Sequence, residues 1–277
     1  MSAPRSRRIG DFEVIAVGDG ILNSGLGSLI GIAPAEVESL AGISLKTVLP
    51  LQVTSFVVRH DGKLALIDAG SGNSMGPTLG KLPDNLRAAG IAPEHIDHVL
   101  LTHIHPDHSN GLVDADGNAV FPRAEVIVSD ADAKFWLESD PDTEQNDFRQ
   151  RNMRAARRAF APYGERVRRI TGGEVLPGLS AYPQPGHTLG HTGWLVSSRG
   201  CSLLVWGDIV HVGKVQFARP EASVSFDLDP EQAHKSRARV FDWVATDRIE
   251  VAGAHLDLPS FGTVRRQGTG YAFDPAA

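Results

Sequence analysis

Twelve residues constrain this chain more than any others. The stretch LLTHIHPDHSNG, Leu100 to Gly111, ends an apolar run with three histidines and an aspartate inside six positions, in a chain with only 11 histidines. Such a run must be folded so that its end meets further donors. Imidazole and carboxylate together suit zinc, manganese or iron, whereas calcium and magnesium sites are built from oxygens. His103 and His105 are alternate residues and share one side of an extended segment, while Pro106 forces a turn that aims Asp107 and His108 separately. The pattern predicts two ions instead of one.

Three later strand ends supply the missing donors. PQPGH ends in His187, LLVWGD in Asp208 and EVAGAH in His255. Each has a glycine or small residue just before it, which lets backbones approach closely. His60, His95, His98 and His234 lie outside these motifs and read as ordinary packing or surface residues.

Short apolar runs alternate with helix-period segments from end to end. FEVIAV (Phe12 to Val17), Thr54 to His60 and Lys63 to Gly70 read as strands, the last two joined at Asp61-Gly62, a hairpin signal. Pro77 to Ala89 reads as a helix interrupted near Pro83, and His95 to His103 as a strand leading into the histidine cluster. AEVIVSD follows as a strand, then a short helix over Ala131 to Ser139 and a longer one over Glu144 to Gly164. LSAYPQPGH, TGWLVSS and CSLLVWGD are strands, Pro230 to about Ala245 a helix capped by Asp229, and RIEVAGAH the last core strand. Strands followed by helices in both halves predict an α/β chain of the α+β type, two sheets face to face with helices outside. Residues 1–277 are expected to form one domain, with 1–11 a flexible N-terminus. Gly20 to Pro50 reads as a long apolar loop, a pocket cover or dimer surface.

Composition closes off other classes. With 42% hydrophobic and 22% charged residues the chain can bury a core. At net charge −6, its basic clusters, Arg5 to Arg8, Arg154 to Arg158 and Arg166 to Arg169, have no interleaved aromatics, so no nucleic-acid partner is expected. No apolar run approaches the ~20 residues of a membrane helix. The first residues lack the apolar region of a secretory signal, which makes the cytoplasm the default location. The single Cys201 excludes an internal disulfide and Cys-based structural zinc.

HxHxDH, a histidine after PG, an aspartate in GD and a final histidine together resemble the metallo-β-lactamase superfamily of binuclear hydrolases, whose fold is an αββα sandwich. By that resemblance His103, His105 and His187 hold one ion, Asp107, His108 and His255 the other, and Asp208 bridges. Two divalent ions per chain are implied, zinc first, with manganese, cobalt or iron as alternatives. Asp68 in LIDAG matches an aspartate that orients a ligand imidazole. Within the superfamily the chain looks most like the branch of methyl parathion hydrolase and related arylesterases and lactonases. That likeness runs from about Thr54 to Phe273 and rests on GPTLGKLPDNLRAAG, FWL (Phe135 to Leu137), GHTLGHT, VQF (Val215 to Phe217) and GTGYAF. Three departures stand out: no export signal, His211 where an apolar pocket residue is expected, and Met75 where that enzyme carries an aromatic. A homodimer is the expected assembly.

The implied chemistry is hydrolysis by a metal-bridging hydroxide, one ion polarising the carbonyl or phosphoryl oxygen under attack. No Gly-x-Ser-x-Gly elbow offers a rival nucleophile. Asp107, a ligand carboxylate beside the nucleophile, is the candidate to carry a proton to the leaving group. The expected substrates are small esters and lactones, with aryl groups favoured, and phosphotriesters as a further class. Met75, Phe135, Trp136 and His211 are the candidate pocket walls. An acyl homoserine lactonase is the alternative hydrolase; its family uses a tyrosine near the oxyanion, and Tyr163, Tyr182 and Tyr271 do not stand at an equivalent place. A mononuclear iron persulfide dioxygenase would use His103, His105 and His187 alone. β-Lactam hydrolysis is disfavoured by Asp208, since β-lactamases lack that bridge.

Overall fold

In the computed structural model, which describes residues 6–276, Asp61 and Gly62 both take positive φ, 46° and 72°. That is the backbone of a two-residue turn whose twist matches the flanking strands. His60 and Lys63 pair across it.

The first half builds one sheet from β1 (Ser6–Ile9) and β2 (Phe12–Gly25), and sets aside β3 (Leu29–Ile30) for a two-stranded ribbon. After helix α1 (Pro34–Ala41) come β4 (Val48–His60), β5 (Lys63–Ile67), helix α2 (Leu82–Ala88), β6 (His98–Leu100), the one-turn α3 (Pro106–Ser109) and β7 (Glu125–Ser129). The short α4 (Asp130–Asp132) runs into a π-helical turn at Ala133–Glu138, and α5 (Asp147–Phe160) precedes β8 (Val167–Ile170). The sheet order is β1-β2-β4-β5-β6-β7-β8, antiparallel as far as β5 and parallel beyond it.

The second half repeats the plan. It contributes β9 (Gly173–Leu176), β10 (Leu179–Pro183), β11 (Thr192–Ser198), β12 (Cys201–Val205), α6 (Gly213–Gln216), β13 (Ser223–Val224), α7 (Pro230–Asp247), β14 (Glu250–Ala252), β15 (Phe261–Gln267) and β16 (Gly270–Pro275). Their order is β16-β15-β14-β12-β11-β10-β9, with β12 and β14 parallel, while β13 pairs with β3.

Side-chain alternation sorts the strands into layers. Val14, Ala16, Phe56, Val58, Ala65 and Ile67 meet Ala181, Trp194, Val196, Leu203 and Val205 of the other sheet. Their neighbours Ile15, Val17, Val57 and Leu66 turn the other way, onto Leu82 and Leu86 of α2 and Met153 and Ala156 of α5. Leu204 and Val251 pack on Val240, Phe241 and Val244 of α7. The expected αββα sandwich with two mixed sheets is therefore the fold, and its central strands, such as β5, β7 and β12, are covered on both faces and accordingly rich in apolar residues.

Several local expectations need correction. Ser6–Ile9 is a strand paired with Phe12 to Ile15, not part of a flexible arm; residues 1–5 of that expectation lie outside the described residues. Gly20 to Pro50 is no loop: β2 continues to Gly25, β4 starts at Val48, and Leu26, Val37 and Ala41 form a small core with Val212, Val215 and Val224. Glycines inside the β2 extension hid it from propensity. The Pro77 to Ala89 helix shrinks to Leu82–Ala88, and Pro83 sits in its first turn, where a missing N–H costs nothing. RIEVAGAH is not the last core strand, since β15 and β16 follow it. The Asp229 cap is present, accepting from the Gln232 N–H at 2.9 Å.

Candidate metal centre

Five strand ends converge at one edge of the sandwich. Just beyond β5 stands Asp68, beyond β6 the loop with His103, beyond β10 His187, beyond β12 Asp208 and beyond β14 His255. Pro106 starts α3 with His105 as its N-cap, so Asp107 and His108 ride on the first helical turn and point back at the strand ends. Glycine makes the convergence possible. A Cβ on Gly207 (φ 57°) would fall 2.7 Å from His191 Nε2, and one on Gly186 2.1 Å from the Ala233 nitrogen.

Asp208 is the centre of the cluster. Its Oδ2 lies 3.1 Å from His211 Nε2, 3.3 Å from His187 Nε2, 3.3 Å from His255 Nε2 and 3.7 Å from His103 Nε2; its Oδ1 lies 3.2 Å from His108 Nε2. Asp107 Oδ2 adds 3.5 Å contacts to both His108 and His255, and His105 Nδ1 faces His187 Nε2 at 2.9 Å. Among the described residues, donor atoms gather into four tight groups: His103, His105 and His187; His103, His108 and Asp208; Asp107, His108 and His255; and His187, Asp208 and His211. All seven residues singled out as ligands are thus in one place. His103 Nε2, His108 Nε2 and Asp208 Oδ1 are buried without a hydrogen-bond partner. Buried polar atoms are rarely left so, and this nitrogen-rich donor set fits divalent cations of the zinc class.

The electrostatics agree. Burial, then the charge of His108, pushes the His103 imidazole well below its ordinary value; burial and His187 do the same to His105. Against the burial penalty, the carboxylates of Asp208, Asp107 and Asp68 raise His108 well above it. Burial likewise opposes His187 and His255, but Asp208 and Asp227 lift His187 to about 9, and Asp208 raises His255. Burial pushes Asp208 and Asp107 up, yet the surrounding imidazoles hold both well below the usual carboxylate range. The carboxylates that favour a proton on His108, His187 and His255 would favour a cation there in the same way.

A ring of partners fixes the donors. Asp68 accepts from His108 Nδ1 at 2.8 Å and from the Thr102 N–H at 2.7 Å. Asp227 accepts from His187 Nδ1 at 2.7 Å, and the Gln52 carbonyl from His255 Nδ1 at 2.8 Å. Asp132 accepts from the Ile104 and Gly190 N–H groups and the Thr188 hydroxyl, tying the two histidine loops together. His191 Nε2 accepts from the Asp208 N–H at 3.0 Å; burial and the nearby His187 lower its pKa to about 3, so it is neutral. Asp227, Asp132 and His191 were not singled out as site residues from the sequence. Only His191 left a trace, as the second histidine of GHTLGHT.

The pocket candidates scatter. His211 touches Asp208 and also lines a cavity of about 680 Å³ with His255, Ile43, Leu49, Leu51 and Phe217. Trp136 is buried, its ring edge-on to His105 at 5.3 Å, and borders a second cavity of about 310 Å³. Phe135 packs on the core between sheet and helices, and Met75 is half-buried in the loop after β5; neither lines either cavity. The Gly20 to Pro50 segment does supply a cavity wall, through Ala41, Ile43, Leu49 and Pro50.

Known proteins resemble this chain in sequence and fold. The sequence profile of the metallo-beta-lactamase superfamily matches residues 48–242. Hydrolase AbOPH, described as a beta lactamase superfamily structure, shares 31% identity and a TM-score of 0.93 over 100% of this chain and 99% of its own. AidC, a dizinc quorum-quenching lactonase solved with the product N-hexanoyl-L-homoserine, shares the fold at 23% identity and a TM-score of 0.92, over 100% of this chain and 98% of its own. The uncharacterized protein YobT of Bacillus subtilis is 27% identical over 214 residues, 75% of this chain and 86% of YobT. The chain belongs to the metallo-β-lactamase superfamily.

Proposed function

We propose that the protein is a two-cation hydrolase of small esters and lactones, aryl ones foremost, with phosphotriesters as a secondary class. The observation that carries this reading is Asp208, a buried carboxylate with five imidazoles within 3.1–3.7 Å, whose Oδ1 has no hydrogen-bond partner. His103, His105 and His187 would hold one ion and Asp107, His108 and His255 the other, with Asp208 between them. Zinc suits the donors best. Bound there, such ions would supply Lewis acidity toward the attacked oxygen and an acidified water.

The chain's own residues do the rest. Asp68, Asp227 and the Gln52 carbonyl fix three imidazoles in the tautomer that presents the opposite nitrogen to the centre. Asp107, held ionised by His108 and His255, is placed to take a proton and return it to the leaving group. The apolar walls of the larger cavity, next to His255 and His211, suit an aryl or alkyl group and exclude water from one side. A mononuclear iron dioxygenase would leave the Asp107, His108 and His255 group unused.

Metal content and paired initial rates test the proposal. Two ions per chain and a kcat/KM for an aryl lactone such as dihydrocoumarin about 10²-fold above that for a methyl-parathion-type phosphotriester are expected, about 2.7 kcal/mol of discrimination. Full loading with no turnover of any ester, lactone or phosphotriester would overturn it. Asp107→Asn with both ions bound and near-full turnover would remove Asp107 from the proton path.

A further inference from the structure

Among the described residues, two cavities share lining residues with the cluster. The larger is reached past His211 and His255, the smaller past His105 and Asp227. Phe226 lines the smaller, its ring edge-on to His187 at 5.8 Å and to His211 at 5.2 Å. The two differ in chemistry. The larger has the apolar walls described above, whereas the smaller is bordered by side chains whose hydrogen-bond capacity is unevenly used.

In the smaller cavity several acceptors are already taken. Asp227 receives His187 Nδ1 on one oxygen and the Val224 N–H on the other, at 2.7 and 3.0 Å. Asn146 Oδ1 receives the Arg149 N–H at 3.0 Å. Among the described residues lining this cavity, two buried side-chain donors have no partner: Trp136 Nε1, on a fully buried side chain, and Arg149 Nε. The Arg149 side chain is held in place through its Nη2 by Glu144 at 3.1 Å. Unpaired buried donors cost free energy until something accepts from them, and a site built to hydrogen-bond one group discriminates strongly against analogues that lack it.

We infer that the smaller cavity is a specificity pocket for an oxygen acceptor on the substrate, a carbonyl or a carboxylate, recognised by Trp136 Nε1 and Arg149 Nε. The inference rests on the hydrolase reading above and narrows its substrate class: an ester or lactone carrying a second oxygen acceptor a few bonds from the scissile carbonyl, with its apolar group in the larger cavity. Trp136, a buried member of the core between sheet and helices, is then also a binding residue through its Nε1.

Hydroxamic acids, which chelate divalent ions, test this without turnover. Dissociation constants of the metal-loaded full chain are measured by isothermal titration for three matched probes: hexanoyl hydroxamate, N-acetylglycine hydroxamate and glutaric monohydroxamate. One or both acceptor-bearing probes are expected to bind at least 10-fold more tightly than the hexanoyl probe. Tighter binding of the acetylglycine probe alone identifies a neutral carbonyl as the partner, and of the glutaric probe alone a carboxylate. Trp136→Phe, which removes the N–H and keeps a ring, and Arg149→Met are each expected to shrink the preference, read as the ratio to the hexanoyl probe in the same variant, to within about 2-fold. Equal binding of all three probes to the wild-type chain, or a preference that survives both variants, overturns the inference. No binding of any probe would instead count against the metal centre itself.

Discussion

Asp68→Asn separates the orientation of a metal-binding imidazole from everything else the position does. Asp68 sits in the left-handed region at φ 63°, which asparagine tolerates about as well as aspartate, so the exchange adds little backbone strain and almost no change of volume. What changes is hydrogen bonding. One carboxylate oxygen receives His108 Nδ1 at 2.8 Å and the other the Thr102 N–H at 2.7 Å, and an amide has only one oxygen to offer. With the oxygen toward Thr102, the NH₂ faces His108 Nδ1 and drives the ring proton to Nε2, the atom that looks at Asp208 Oδ1 at 3.2 Å. With the amide reversed, two donors collide at the buried Thr102 N–H. Losing a bond to a charged acceptor costs about 1.5–3 kcal/mol. Most of that falls on cation binding, so affinity on the His108 side should drop about 10- to 100-fold. Chelator competition reads the two affinities separately, and the other ion should change far less. Wild-type affinity for both ions in a folded Asp68→Asn chain would refute the argument that Asp68 sets the His108 tautomer.

Cation binding should also release protons: His187, raised to about 9, carries one at neutral pH in the metal-free chain, and the upward shifts of His108 and His255 act in the same direction. Affinity therefore falls as pH is lowered, and titration calorimetry at pH 7.5 in buffers of different ionisation enthalpy should find more than one proton per chain; none released would contradict the charge pattern. Gly207→Ala places a methyl 2.7 Å from His191 Nε2 and 2.9 Å from Thr102 Cβ at φ 57°, which should lower Tm and weaken metal binding together; an unchanged chain would show that the Asp208 loop has slack. Tyr163, donating to the Leu112 carbonyl at 2.8 Å, has its pKa raised by burial to about 12. An acid raised in the folded state contributes stability that is complete below pH 10 and lost as pH rises toward 12, by about 2–3 kcal/mol. Denaturant midpoints across that window should fall in the wild type and fall less in Tyr163→Phe, with no difference between the two slopes counting against it.

The seven donors were legible because they are chemically loud and stand at ends of apolar runs, where side-chain period and glycine placement both point. The sandwich was legible for a related reason: strands covered on both faces are short, apolar and β-branched. What the sequence concealed depends on partners far along the chain. Asp227 and Asp132 look like any loop or helix-start aspartate until His187 and Thr188 arrive beside them. The β2 extension, polar and glycine-containing at Gly20 to Gly25, becomes a strand only because Val48 to Val53 pairs with it. Phe135 and Trp136 are neighbours on one π-helical turn, yet both pack in or against the same core and Trp136 alone of the two borders the smaller cavity, a distinction that residue type does not reveal.

The donors come from the ends of both sheets, and His103 and His255 stand more than half the chain apart. An ion held among them is therefore a removable staple across the sandwich, closing a loop far longer than any the hairpins close. Ligands that bind only the folded state stabilise it by mass action, so a chelator should loosen the seam between the two halves before it disturbs either sheet. Metal supply would then set the lifetime of the folded chain as well as its activity.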